Sequence, residues 1–164
     1  MLTLRRAAHE DAPILNTLHN YYIQNTTVHY GMHPETLEET VSWMDAHNHD
    51  ARYPLFVAEK DGEVIGYGAL SPYRPREAYR YTVENSLYLF PEYIGTGAGK
   101  LLLQMLIDCA RQSGLRTIVA VIDSGNARSI SFHERLGFVR CGEMLGIGDK
   151  FDTRLSVTYL QYDL

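Results

Sequence analysis

The sequence predicts an α/β (α+β) fold, a mixed and mostly antiparallel sheet of about seven strands flanked by about four helices. Three observations carry that prediction. β-prone runs are joined by tight turn signals, of which Asp61-Gly62 is the clearest. Helix-period stripes are mixed with runs of successive strands and do not alternate regularly with them. Length and composition suit one domain with a sizeable core: 164 residues, 45% hydrophobic and 21% charged. No low-complexity stretch, linker or internal repeat divides the chain, so residues 1–164 read as a single domain.

Taken in order, Leu2 to Arg6 alternates briefly and reads as a first strand. Asp11 is placed to cap a helix in which Ile14, Leu15, Leu18 and Tyr22 share a face. Asn25-Thr26-Thr27 reads as a loop. A second helix starts near Pro34-Glu35, with Leu37, Val41 and Met44 as its buried stripe. Leu55 to Glu59 and Val64 to Leu70 form a hairpin about Asp61-Gly62, and Tyr81 to Phe90 is a long β-prone run containing Glu84. Gly95-Thr96-Gly97-Ala98-Gly99 leads into a helix with Leu102, Met105, Leu106 and Cys109 on one face. Thr117 to Ile122 is a buried-looking strand. Asn126 to Leu136 is a short helix stopped by Gly137, and Phe138 to Cys141 and Leu155 to Tyr162 are the final strands.

Charge and composition exclude several classes of function. The net charge of -5 disfavours sequence-independent nucleic-acid binding, which depends on cationic contacts to phosphates. Apolar runs of only a few residues predict no membrane span. No apolar stretch follows Arg5-Arg6, so no signal peptide is read, and two cysteines, Cys109 and Cys141, cannot staple a scaffold. A reduced, cytoplasmic protein is the expectation. His47-Asn48-His49-Asp50 lacks the third and fourth convergent ligands that a zinc site needs, so no metal is expected.

The glycine-rich segment lies between a strand and a helix, where backbone N–H groups and the helix dipole can receive a phosphate. A Walker A loop needs glycine where Ile94 stands and Ser or Thr where Leu101 stands. A Rossmann loop needs its third glycine at the position of Lys100. Both readings fail. A glycine-rich turn without a ligand and a loop for a different phosphorylated coenzyme remain.

The segment Pro91-Glu92-Tyr93-Ile94-Gly95-Thr96-Gly97-Ala98-Gly99-Lys100, with the amphipathic helix after it, resembles the pyrophosphate loop of GNAT-type N-acetyltransferases. The resemblance covers nearly the whole chain. It narrows to the phosphinothricin and methionine sulfoximine acetyltransferase group through Asn25-Thr26-Thr27, Tyr73-Arg74-Pro75-Arg76 with Tyr79-Arg80, Tyr81 to Leu89, and Ile122 to Asn126 running into His133 to Phe138. Two places depart from the family pattern. Ile94 and Thr96 stand where basic or amide side chains are usual, and Lys150-Phe151-Asp152-Thr153-Arg154 replaces Lys-Phe-Gly-Arg-Trp.

The resemblance implies a sheet splayed at an acetyl-coenzyme A site and an enzyme that acetylates the α-amine of a small amino-acid analogue. Phosphinothricin, methionine sulfoximine and methionine sulfone are the implied acceptors, and a homodimer is the implied assembly. Glu84 lies in an otherwise apolar-aromatic strand, where burial raises a carboxylate's pKa toward working pH. It reads as the general base or as a solvent-facing strand residue, and the resemblance favours the base. His133 matches the position of an acid to the leaving thiolate, against the plain alternative of a core histidine. Backbone groups of Leu87, Tyr88 and Leu89 would pair with pantetheine amides like an added strand. Gly95, Thr96, Gly97, Ala98, Gly99 and Lys100 would hold the pyrophosphate. Asn126 would cap its helix or reach the pantetheine. Arg74, Pro75, Arg76 and Thr27 would border the acceptor, arginine being suited to a carboxylate. The rival readings are acetylation of another amine, such as a protein N-terminus or a polyamine, and a coenzyme A-binding module without turnover.

Overall fold

A computed structural model describes residues 1–164. Seven strands form one sheet: β1 (Leu2–Arg6), β2 (Leu55–Lys60), β3 (Glu63–Pro72), β4 (Thr82–Leu89), β5 (Thr117–Asp123), β6 (Val139–Lys150) and β7 (Thr153–Asp163). Their order across the sheet is β1-β2-β3-β4-β5-β7-β6. Every neighbouring pair is antiparallel except β4–β5. Four helices complete the chain: α1 (Ala12–Asn25), α2 (Leu37–Asp45), α3 (Ala98–Gln112) and α4 (Ala127–Arg135).

The helices divide between the two faces of the sheet. Leu102, Leu103, Leu106, Ile107 and Ala110 of α3 and Ile130 of α4 bury with Val83, Ile118 and Ala120 in a cluster of 19 residues. Leu15, Leu18 and Tyr22 of α1 and Met44 of α2 bury with Leu55, Val57, Tyr67 and Ala69 in a cluster of 9 on the other face. Strand alternation thus sends Val83 toward α3 and α4 and Glu84 toward α1 and α2.

Several local expectations are corrected. Asp11 stands at the N-cap of α1, but its side chain makes no capping hydrogen bond. Its carboxylate turns back to accept from the Ala8 N–H at 2.8 Å and from Arg5 Nη1 at 2.7 Å. The second helix starts at Leu37, because Thr36 and Glu39 form a capping box: Thr36 Oγ1 accepts the Glu39 N–H, and the Glu39 carboxylate accepts the Thr36 N–H at 2.7 Å. That start turns Leu37 outward and buries Thr40. On α3, Met105 and Cys109 flank the buried stripe as partly buried residues, and Leu103, Ile107 and Ala110 complete it. The last two strands are far longer than their apolar runs. β6 and β7 pair as a long hairpin whose turn, Phe151-Asp152, has φ of 52° and 55°. Most of β6 is exposed and carries Gly142, Gly146 and Gly148, which hides any two-residue apolar period.

Candidate active site

The site is built by a pairing that stops. β4 and β5 are in register at Thr82↔Thr117, Val83↔Ile118 and Glu84↔Val119, and no further. Both strands continue, β4 held from behind by β3 as far as Leu89 and β5 by β7 as far as Asp123. Their facing edges part after Glu84 and open a wedge. A cavity of about 850 Å³ fills it, lined among others by Glu84, Asn85, Leu87, Tyr88, Leu89 and His133. Tyr22 holds one rim, its hydroxyl donating to the Leu89 carbonyl at 2.6 Å.

The glycine segment lies at the mouth of the wedge. Gly97 ends it as the N-cap of α3 with φ of 94°, a left-handed conformation that a side chain would strain. The first N–H to find an acceptor at the start of α3 is that of Leu101, bonded to the Gly97 carbonyl at 3.2 Å. The earlier N–H groups of that turn have no helical partner. Gly95, Gly97, Gly99 and Lys100 line the cavity. Thr96 and Ala98 do not: Thr96 Oγ1 donates to the Tyr93 carbonyl at 2.7 Å, and Ala98 is buried in the core.

A diphosphate joined to a narrow amide-bearing arm fits this arrangement. Free N–H groups and a helix N-terminus suit the diphosphate, and the open strand edges suit the amides. These N–H groups, with Gly95, Gly97 and Lys100, would hold such a coenzyme's phosphates, and the edges of Leu87 to Leu89 its arm.

Glu84 sits where the strands part. Burial pushes its carboxyl above the usual range, partly offset by the charge of Arg74. Arg74 is exposed, its guanidinium 5.2 Å from the Tyr73 ring. The structure sets all four predicted acceptor residues outside the cavity lining. Arg74, Pro75 and Arg76 lie on the exposed loop before β4. Thr27 gives way to its neighbours Thr26 and Val28, which do line the cavity. Asn126 caps α4 through Oδ1, which accepts the Ser129 N–H at 3.1 Å, and it also lines the cavity.

His133 is buried at 3% exposure, edge-on to Phe138 and Phe132. Burial holds its pKa below the ordinary histidine value, against a contrary contribution from the Ser129 carbonyl. Nδ1 lies 2.8 Å from that carbonyl and Nε2 lies 3.0 Å from Asn85 Nδ2. Asn85 projects from the face opposite Glu84, so Glu84 and His133 meet the wedge from opposite sides of the sheet.

Three features of the site were not read from the sequence. Asn85 is one. The second is a tie from the α1–α2 connection: Tyr30 donates to Asp123 Oδ1 at 2.8 Å, where β5 ends in the cavity wall. The third is Lys150, whose Nζ donates to the His29 carbonyl at 2.6 Å and pins the same connection to the β6–β7 hairpin. Asn85 meets His133 from 48 positions away, and the other two ties join residues 93 and 121 positions apart, separations that no local pattern reports. His47, singled out beside His49, commits Nδ1 to the Trp43 carbonyl and Nε2 to Ser71.

A mixed sheet parted between two parallel strands, with a glycine loop and helix N-terminus at its mouth, agrees with the acetyltransferase class that sequence similarity shows. The chain belongs to the acetyltransferase (GNAT) family, whose model matches residues 15–138. It is 40% identical over 163 residues to an L-methionine sulfoximine/L-methionine sulfone acetyltransferase of Pseudomonas paraeruginosa, covering 99% of this chain and 94% of that one. It is 34% identical to a phosphinothricin N-acetyltransferase of Alcaligenes faecalis, covering 99% of this chain and 82% of the relative. The crystal structure of a phosphinothricin acetyltransferase from Sinorhizobium meliloti in complex with acetyl-coenzyme A superposes with a TM-score of 0.95 at 34% identity. That match covers 99% of this chain and 88% of that one.

Proposed function

We propose that this enzyme acetylates the α-amine of a small amino-acid analogue, of the methionine sulfoximine, methionine sulfone or phosphinothricin kind, with acetyl-coenzyme A as donor. The observation that carries the reading is Glu84, a carboxylate of raised pKa at the point where β4 and β5 part. The names of relatives 34–40% identical over nearly the whole chain supply the acceptor class.

Glu84 accepts a proton from the acceptor amine, directly or through a water. The amine nitrogen then bonds to the acetyl carbon, the carbon–sulfur bond breaks, and the departing thiolate takes up the proton that the nitrogen sheds on becoming an amide. The unpaired N–H groups of the α3 first turn hold the diphosphate, and the open edges of Leu87 to Leu89 hold the arm. Arg74 reaches over from its loop to the acceptor carboxylate. Its guanidinium lies over the Tyr73 ring and keeps donors to spare. Holding both reactants in contact contributes on the order of 7–11 kcal/mol to such a transfer.

The reading includes a homodimer. The β6–β7 hairpin exposes Val139, Met144, Leu145, Ile147 and Phe151, an apolar stretch on an edge of the sheet that a second copy would cover. It includes a reducing, cytoplasmic setting, in which Cys109 and Cys141 remain free thiols as they are here. No helix is long and apolar enough to cross a membrane.

A thiol-release assay across a panel of amines tests the acceptor. Methionine sulfoximine, methionine sulfone and phosphinothricin should release coenzyme A thiol well above the rate without acceptor. Turnover confined to polyamines or to N-terminal peptides would move the enzyme to another acceptor class. No turnover with any amine, alongside tight acetyl-coenzyme A binding, would make it a binding module.

A further inference from the structure

Asn85 holds a side-chain acceptor for which the protein provides no donor. The residue is 8% exposed, and its Oδ1 is buried without a hydrogen-bond partner. The orientation of that amide follows from its neighbour. The Ser129 carbonyl can only accept, so His133 Nδ1, at 2.8 Å, carries the ring proton. Burial with no ion-pair partner favours the neutral ring, whose Nε2 offers a lone pair. Asn85 must turn its NH₂ toward Nε2, at 3.0 Å, which leaves Oδ1 facing elsewhere. A buried carbonyl without a donor is costly, so such an atom points to a ligand that supplies one.

The position of Asn85 narrows the donor. It is the first residue beyond the last β4–β5 pair, Glu84↔Val119, and it lines the wedge. Its side chain leaves the sheet on the α3 and α4 side, while Glu84 faces the other side. On the function proposed above, on which this inference rests, Glu84 marks the reacting thioester. A neighbour one residue away reaches only groups within a few ångströms of the sulfur. In a pantetheine arm the N–H donor at that distance is the amide two carbons from the sulfur. The acetylated thioester has no S–H to offer.

We propose that Asn85 is a coenzyme-positioning residue whose side-chain carbonyl accepts the amide N–H nearest the sulfur of the pantetheine arm, and that His133 holds the Asn85 amide in that orientation. This gives His133 a part other than the acid expected from the sequence. Its one ring proton is engaged with the Ser129 carbonyl, so it has none free to hand to a thiolate. It is a positioning residue, acting through Asn85. The pair fixes the thioester against Glu84 from the far side of the sheet.

Calorimetric titration of four proteins tests this: wild type, Asn85→Leu, His133→Phe and the double variant. The ligands are acetyl-coenzyme A, coenzyme A, and adenosine 3′,5′-bisphosphate, which lacks the arm. Asn85→Leu should weaken acetyl-coenzyme A and coenzyme A alike, by about tenfold, and leave the bisphosphate unchanged. The double variant should bind no more weakly than Asn85→Leu alone, because His133 acts only through the residue already removed. Unchanged acetyl-coenzyme A binding in Asn85→Leu overturns the proposal. A loss confined to coenzyme A makes the thiol the donor and also overturns it. An equal loss for the bisphosphate places the damage away from the arm and does the same, and additive losses in the double variant overturn the part given to His133. A wild-type protein that fails to bind acetyl-coenzyme A would sink the proposed function itself, which the variants alone cannot do.

Discussion

As the proposed base, Glu84 meets two opposed demands. A base must be ionised to accept a proton, and burial disfavours the ion. The folded-state pKa lies above the unfolded one, so Glu84 adds stability only below its unfolded pKa, and that contribution is lost as pH rises through the raised value. Glu84→Gln should therefore make the unliganded protein more resistant to urea at neutral pH, and the gain should vanish in acid, where Glu84 is itself protonated. The same substitution should lower kcat by about 10²–10⁴-fold, and the deficit should shrink at high pH, where more of the amine arrives deprotonated. A variant with near wild-type kcat at neutral pH would remove Glu84 from the chemistry. Arg74→Ala reports on the acceptor side. It should raise KM for a carboxylate-bearing acceptor by about ten- to a hundredfold and scarcely change it for the decarboxylated amine, as expected for loss of a charged hydrogen bond. Equal effects on both acceptors would show that Arg74 does not hold the carboxylate.

Among the elements, the start of α3 is where local conformation and the proposed diphosphate binding coincide, and its glycines separate the two. A Cβ at Gly99 would meet Leu87 at 3.5 Å and Phe132 at 3.6 Å, ordinary contact distances, at the cavity wall. Gly99→Val should keep most of the unliganded stability and lose the rise in Tm that acetyl-coenzyme A gives wild type. Gly97 has open space around it but a φ of 94°, so Gly97→Val should lower unliganded Tm as well. A wild-type ligand shift in both variants would refute the loop assignment. This loop was legible in sequence because glycine spacing, strand before and helix after are all local. So were the Asp61-Gly62 hairpin and the β4 run around Glu84. The capping box at Thr36 and Glu39 was equally local and went unread, because the proline before it drew the helix start upstream. What local patterns do not carry is long-range pairing. Tyr30 meets Asp123 and Lys150 meets His29 only once the α1–α2 connection lies over the end of β5. Asn85 reads as one more polar residue until His133 is set beside it from 48 positions away. β6 gave no apolar alternation because most of its side chains are exposed.

At the scale of the whole molecule, the edge of the sheet bears on the site. β6 is the outermost strand beside β7, and Leu145 and Ile147 are 74% and 50% exposed on it. An unpaired apolar edge invites a second chain, and native proteins otherwise blunt such edges with charge or proline. The hairpin does more than present that edge. Its Lys150 pins the His29 carbonyl, and its Gly148 lies against the Tyr30 ring, where a Cβ would come within 3.0 Å. Tyr30 in turn bonds to Asp123 in the cavity wall. A partner clamped on the hairpin would therefore steady the connection that carries Thr26 and Val28 into the acceptor side of the cavity. Sedimentation at micromolar concentration should give about twice the chain's 18.7 kDa. Leu145→Glu combined with Ile147→Glu should give a monomer with the same helix and strand content, since both side chains already face solvent in a single copy. The monomer should show a raised acceptor KM with acetyl-coenzyme A affinity little changed, because in the proposed function β4 and α3, not the hairpin, would hold the diphosphate and arm. A wild-type monomer, or a dimer that survives both charges, would place the interface elsewhere or remove it. A monomer with unaltered acceptor KM would show that the hairpin supports the α1–α2 connection without a partner's help.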